Sequence, residues 1–155
     1  VINRIFGNSI TNTFKVRNYK FEENKDKIKF IASHNGYEKK FGYMHTRELS
    51  IDKLKGNLIG IDKIEKKKNG KPLNFNLRFH LYPGLTAVKT MSGNSVLIQI
   101  TKNKSLIFTV KDENVILEKS IFLGRNKILD NTCINIPGNL VNVDKSIHWV
   151  LKKNI

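Results

Sequence analysis

The sequence predicts an all-β protein, an antiparallel two-sheet β-sandwich, and three observations predict it. From residue 74 to residue 82, apolar Phe75, Leu77, Phe79 and Leu81 alternate strictly with polar side chains, and a period of two puts the sets on opposite faces of a strand. After Pro83, short β-branched runs recur with turn-forming residues between them, which is the spacing of a meander. No useful stretch repeats apolar residues at helical spacing, so no helix competes for the chain. Together these give about ten strands in two packed antiparallel sheets.

Taken in order, residues 14–19 alternate as a first strand. Residues 28–33 are a second, closing at His34-Asn35-Gly36, where Asn-Gly supplies the positive φ angles of a tight turn. Residues 42–51 alternate again and put Tyr43, His45, Arg47, Leu49 and Ile51 on one side. Leu54, Leu58, Ile61 and Ile64 carry the next strand, interrupted by Gly56 and Gly60. The charged run 65–68 with Asn69-Gly70 reads as a solvated loop tip before the central strand. Pro83-Gly84 ends that strand, because proline cannot donate to the ladder and glycine permits a turn. Runs at 85–90, 95–100, 106–110 and 115–120 follow, and 121–124, 132–136 and 147–151 complete the chain. Residues 1–155 show no repeat, linker or composition break, so they read as a single domain.

Charge narrows the partners. Lys and Arg number 28 against 13 Asp and Glu, a formal net charge of +15, which attracts polyanions. The lysines are spread along the sequence and no nucleic-acid recognition motif is visible, so a specific nucleic-acid partner is not expected. No apolar run has the length to span a membrane, and no membrane partner is expected. The lone Cys133 excludes an internal disulfide and a thiolate metal cage; it reads as a buried, inert thiol.

Candidate chemistry is sparse. His34, His45, His80 and His148 show no ligand spacing within a strand, so no metal is expected, and no cofactor motif is present. A Gly-x-Ser-x-Gly elbow is absent and nothing in the local sequence activates Cys133; no catalytic residue is assigned. His45 and Arg47 read as a structural hydrogen-bonded pair, since polar groups among apolar neighbours must be satisfied. The central strand is different. Its polar face carries Asn76, Arg78, His80 and, just beyond, Tyr82, the donors and stacking groups that grip sugars and carboxylates. These four are the candidate substrate-binding residues, with a plain solvated sheet face as the rival reading.

Three segments in order resemble one family. Ala32-Ser33-His34-Asn35-Gly36-Tyr37, Lys40-Phe41-Gly42 and His45-Thr46-Arg47 resemble its Ala-Ser-His-Asp-Gly-Tyr, Arg-Phe-Gly and His-Arg-Arg segment. Arg78-Phe79-His80-Leu81-Tyr82-Pro83 resembles Arg-Phe-His-Leu-His-Pro, with Tyr82 where histidine is commoner. Glu118-Lys119-Ser120-Ile121-Phe122-Leu123-Gly124 resembles Glu-Glu-Ser-Val-Tyr-Leu-Gly. The family is the heparinase II/III-like polysaccharide lyases, and the resemblance runs from about Asn8 to Leu151. It implies a supersandwich-like C-terminal β domain, preceded in a larger lyase by a helical toroid that is not in this chain. It further implies β-elimination on an acidic, uronic-acid-containing polysaccharide, heparin-like or another uronate polymer, and slightly favours the periplasm. The family's His-Gly-His, Asp-Pro-Gly and Ala-His-Asn-Thr motifs do not occur here. The expectation is therefore a fragment that begins at Val1, is inactive alone, and partners the missing N-terminal helical domain. The competing expectation is a non-catalytic module that binds acidic glycans or other polyanions.

Overall fold

In the computed structural model, which describes residues 2–3, 9–10, 14–68, 70–124, 127–141 and 143–154, the alternating runs become strands joined mostly by tight turns. The order is β1 (Ile2–Asn3), β2 (Ser9–Ile10), β3 (Val16–Glu23), β4 (Lys27–His34), α1 (Glu38–Phe41), β5 (Tyr43–Asp52) and β6 (Asn57–Lys66). Then come β7 (Leu73–His80), β8 (Thr86–Lys89), β9 (Ser95–Thr101), β10 (Lys104–Val110), β11 (Ile116–Gly124), β12 (Lys127–Leu140) and β13 (Lys145–Asn154). Eight strands form one sheet in the order β3-β4-β5-β6-β13-β10-β9-β8, and three form a second, β11-β12-β7. Among the described residues β1 pairs with β2 alone, and the pairings in both larger sheets are antiparallel.

The core lies between the two larger sheets. The large sheet gives it Val96, Ile98, Phe108, Val110, Ile147 and Trp149, and the small sheet gives it Ile134 and Ile136. Phe75, Leu77, Phe79 and Leu81 pack against that cluster, so the inward face read from strict alternation is the inward face. Phe79 is the keystone ring, with its centroid 5.0 Å from Phe108 and 4.9 Å from Trp149. Gly60 makes room for Trp149: any Cβ there would sit 2.1 Å from the indole. This glycine therefore lies inside a strand because an aromatic ring occupies the space a side chain would need.

Three strands cannot cover eight. On the inner face of the β3–β5 wing, Phe21 lies opposite Phe30, Phe30 opposite Leu49 and Ile28 opposite Ile51, and Phe21, Phe30 and Ile51 remain exposed.

Several boundaries differ from expectation, each for a local reason. Leu54 is not a strand residue; it is 83% exposed in a turn. There the Asp52 carboxylate accepts the N–H groups of Leu54 and Lys55 and Gly56 takes φ 65°, a side-chain-capped turn that outcompetes extension of the ladder. Residues 121–124 continue β11, and β12 is far longer than 132–136. β12 runs through Pro137 because beyond Asn135 it pairs with β7 alone, and an edge tolerates proline. The one helix among the described residues, α1, is a single turn closed by Phe41 N–H to Tyr37 O and Gly42 N–H to Glu38 O, with Gly42 at φ 78° as a left-handed cap. One turn is too short to leave a helical period in the sequence.

Candidate functional site

The row read from β7 lies on the outer face of the small sheet, and the structure shows what flanks each member. Arg78 Nε donates to Glu118 Oε2 at 3.3 Å, and its side chain remains 46% exposed. His80 Nδ1 meets Ser120 Oγ at 2.9 Å. Asn76 Oδ1 accepts from Asn135 Nδ2 at 2.8 Å, and the same amide donates to Glu118 Oε1 at 2.7 Å. Tyr82 stacks edge-on to Phe122 with centroids 5.5 Å apart. Asn76, Arg78 and His80 thus share one connected polar surface with β11 and β12, and Tyr82 extends it past the strand end. The partners Glu118, Ser120 and Phe122 come from the third resembling segment, which folding brings beside the second. Asn135 has no counterpart in the sequence reading. It is buried, and its Oδ1 has no hydrogen-bond partner among the described residues. Cys133 lies on the same face, buried and free, and burial pushes its thiol pKa up, consistent with the inert thiol expected.

A second cluster forms where β4, β5 and β6 run side by side. His34 is the cross-strand partner of His45, and Arg47 of Asp62. The carboxylate of Asp62, fully buried, accepts from His45 Nε2 and Arg47 Nε at 2.7 Å each through Oδ1, and from Trp149 Nε1 at 2.8 Å through Oδ2. Burial alone would raise the Asp62 pKa, but these three hydrogen bonds and the Arg47 charge outweigh it and hold the carboxyl below its ordinary range. The proton positions follow in sequence. Gly36 N–H donates to His34 Nδ1 at 3.2 Å, leaving His34 Nε2 to donate to His45 Nδ1 at 3.1 Å. His45 Nε2 then donates to Asp62, so two neutral imidazoles satisfy every contact. Burial, together with His45 and Arg47, keeps the His34 pKa below 6.5. The expected His45–Arg47 pairing is thus an arrangement around a shared carboxylate. The sequence did not single out Asp62; the signal that could have found it is that it is the one acid at alternate positions with Leu58, Gly60 and Ile64, though nothing local names its partners. Among the described residues no three His, Cys, Asp or Glu side chains come together as a metal site.

Beside this cluster a cavity of about 240 Å³ opens between the sheets. His45 and Asp62 line it from the large sheet, Phe75, Leu77 and Leu140 from the small one, and Tyr37 and Phe41 stand at its mouth, both exposed. The α1 turn and the β6–β7 loop are zipped together there. Lys67 N–H donates to Gly42 O at 2.8 Å, Lys71 N–H to Phe41 O at 3.5 Å, and Tyr43 Oη–H to Lys71 O at 2.9 Å. A Cβ on Gly70 would stand 3.0 Å from Gly42 O, which is why glycine is needed at this close approach. Folding therefore gathers Lys39 and Lys40 of α1 with Lys66, Lys67, Lys68 and Lys71 at one end of the sandwich.

Residues 7–150 match the model of a family described as heparinase II/III-like, C-terminal. No curated protein sequence matches the chain. Among solved structures, the chain resembles heparan sulfate lyase HepC from Pedobacter heparinus, with a TM-score of 0.76 at 14% identity, over 90% of this chain and 22% of that one. It also resembles heparinase III, with a TM-score of 0.66 at 18% identity, over 94% of this chain and 22% of that one. Identities this low show a shared fold, and the chain spans only 22% of the length of either structure.

Proposed function

The chain belongs to the heparinase II/III-like C-terminal family, and from that membership we propose that it is the β-sandwich part of a polysaccharide lyase. The parent enzyme cleaves a uronic-acid-containing polysaccharide by β-elimination, and this chain binds the polymer without cleaving it. The family match from residue 7 to residue 150 carries the reading. Beta-elimination needs a base for the proton beside the uronate carboxyl group, charge to neutralise that carboxylate, and an acid for the departing glycosidic oxygen. The family's histidine motifs for such work are absent from these 155 residues. His34 and His45 have their ring nitrogens committed to Gly36, to each other and to Asp62, which leaves no free imidazole nitrogen there to take a substrate proton.

What the chain offers is affinity. The net charge of +15 suits an acidic polymer. On the Asn76, Arg78, His80 and Tyr82 face, Arg78 gives only its Nε to Glu118, so its terminal N–H groups supply a fork for a carboxylate or sulfate. The same surface meets the polysaccharide or the helical domain that accompanies it in the parent. The purified chain is expected to bind heparan sulfate or alginate and to release no unsaturated uronate, followed by ultraviolet absorbance. Elimination products from the chain alone would overturn the division of labour, and failure to bind any acidic polysaccharide would overturn the reading itself.

A further inference from the structure

The geometry points to a second anionic-sugar site, at the end of the sandwich, where one negatively charged pyranose seats its ring against Tyr37 and Phe41 while the lysines of α1 and the β6–β7 loop neutralise its acid group. This rests on the polysaccharide-lyase reading and goes beyond it by naming residues that lie away from the Arg78 row.

Three independent features converge. The first is charge. Lys39 and Lys40 are exposed on α1, and Lys66, Lys68 and Lys71 are exposed on the adjoining loop. Near them, among the described residues, Glu38 stands in the same turn as Lys39 and Lys40, Glu65 pairs with Lys67 at 3.9 Å, and the Asp144 carboxylate accepts from the backbone N–H of Lys66. Cations therefore outnumber anions at this end, which focuses an attractive field on a polyanion.

The second is shape. A cavity of about 240 Å³ with two exposed aromatic rings at its mouth takes a single ring. Tyr37 and Phe41 have centroids 6.4 Å apart and planes tilted by 53°. Tilted faces make no slot for a stacked nucleobase, which wants parallel aromatic planes. They do present apolar surface to the C–H edges of a pyranose. Lys40 Nζ lies over the Phe41 ring, 5.1 Å from its centroid, so a cation covers one face of that ring and leaves its edge and other face for the sugar.

The third is rigidity. The three hydrogen bonds between the α1 turn and the loop fix the lysine-bearing backbone before any ligand arrives, and pre-organised charge binds at lower entropic cost. From this end β7 runs away through Asn74 and Asn76 to Arg78 and His80, about 23 Å of strand at 3.3 Å per residue. An extended polymer anchored at the cavity mouth has a polar track to follow.

The test is fluorescence anisotropy of a labelled heparan sulfate oligosaccharide with the 155-residue chain, across a salt series. Replacing Lys39, Lys40 and Lys71 by Gln should weaken binding about tenfold. The matching triple change of Lys55, Lys102 and Lys104 to Gln removes the same charge from the opposite end of the large sheet, and it should weaken binding by less than about threefold, as distant screened charges do. Tyr37→Ala should weaken binding about threefold with an unaltered salt slope, because it removes a non-ionic contact. Both lysine triples are exposed, and unchanged unfolding midpoints will show that the variants fold. Equal losses from the two triples, or no loss from Tyr37→Ala and Phe41→Leu alike, would overturn this site and leave the lyase reading standing. Binding of double-stranded DNA as tight as that of heparan sulfate, with the same response to all the variants, would overturn both.

Discussion

Asp62 holds more of this protein together than its single charge would indicate. A buried carboxylate without partners would be neutral or would unfold the chain, yet this one satisfies an imidazole, a guanidinium and an indole at 2.7–2.8 Å. Asp62→Asn keeps the shape but removes the charge and turns one acceptor into a donor facing donors. It should cost about 2–4 kcal/mol, read as a lowered urea midpoint with an unchanged m-value. The linked pH dependence has a definite sign. His34 titrates below 6.5 when folded, so the unfolded chain binds its proton more readily, and stability falls as pH drops below about 6.5 toward the folded value. Asp62 is also depressed, below 3.8, so its contribution is present above that value and is lost as pH falls further. Two separate acid-side losses are expected in urea midpoints from pH 8 to pH 3, and His34→Asn should remove only the upper one. A single loss confined to pH below 4 would show that the imidazole chain does not couple to folding. The sequence presented His45 and Arg47 as a pair needing satisfaction, and that need was real. Their acceptor lies on the next strand, and register is what a single sequence conceals.

At the scale of elements, the readable and unreadable parts divide by what sets them. Alternation set the faces of β4, β5 and β7, because burial on one side forces a period of two. The meander was legible from its turn residues only for β8 to β10; β11, expected to continue it, crosses to the small sheet and pairs with β12. The run-through of β12 across Pro137 and Gly138 was not legible, because both residues normally argue against a strand. There Phe75 lies across Gly138, where any Cβ would come within 2.3 Å of its ring, so the glycine answers a cross-strand aromatic. Gly60 under Trp149 repeats the arrangement in the other sheet. Gly60→Ala should therefore destabilise by about 1–3 kcal/mol through overpacking, although alanine is otherwise a better strand residue than glycine. Trp149→Phe in the same background should recover part of that loss, as contacting residues couple. Additive effects in chemical denaturation would mean that the ring does not occupy the space above Gly60.

At the scale of the whole molecule, charge was legible as a number but not as a pattern. A run of lysines at 66–68 read alone is a solvated loop tip, and lysines at 39 and 40 read alone are two more. Only the docking of α1 on that loop makes them neighbours. The Arg78 row was legible because one strand carries it, and its partners Glu118 and Ser120 were visible in the sequence without their role. The two regions predict different responses to salt. Arg78 stands on a partly buried polar sheet and offers directed N–H groups, so Arg78→Ala should weaken heparan sulfate binding by about 1.5–3 kcal/mol, the range for hydrogen bonds to charged groups. Its effect should persist when salt is raised, since a charge-assisted fork at a half-covered site is screened less than an exposed ammonium. The lysine end should instead carry most of the slope of log K against log salt, because released counterions report neutralised charges. If Arg78→Ala and the Lys39/Lys40/Lys71 triple change affinity and slope in equal proportion, neither region is a site. The molecule would then attract the polymer only by its diffuse net charge, and the sandwich would serve as a brace for the catalytic part of the parent.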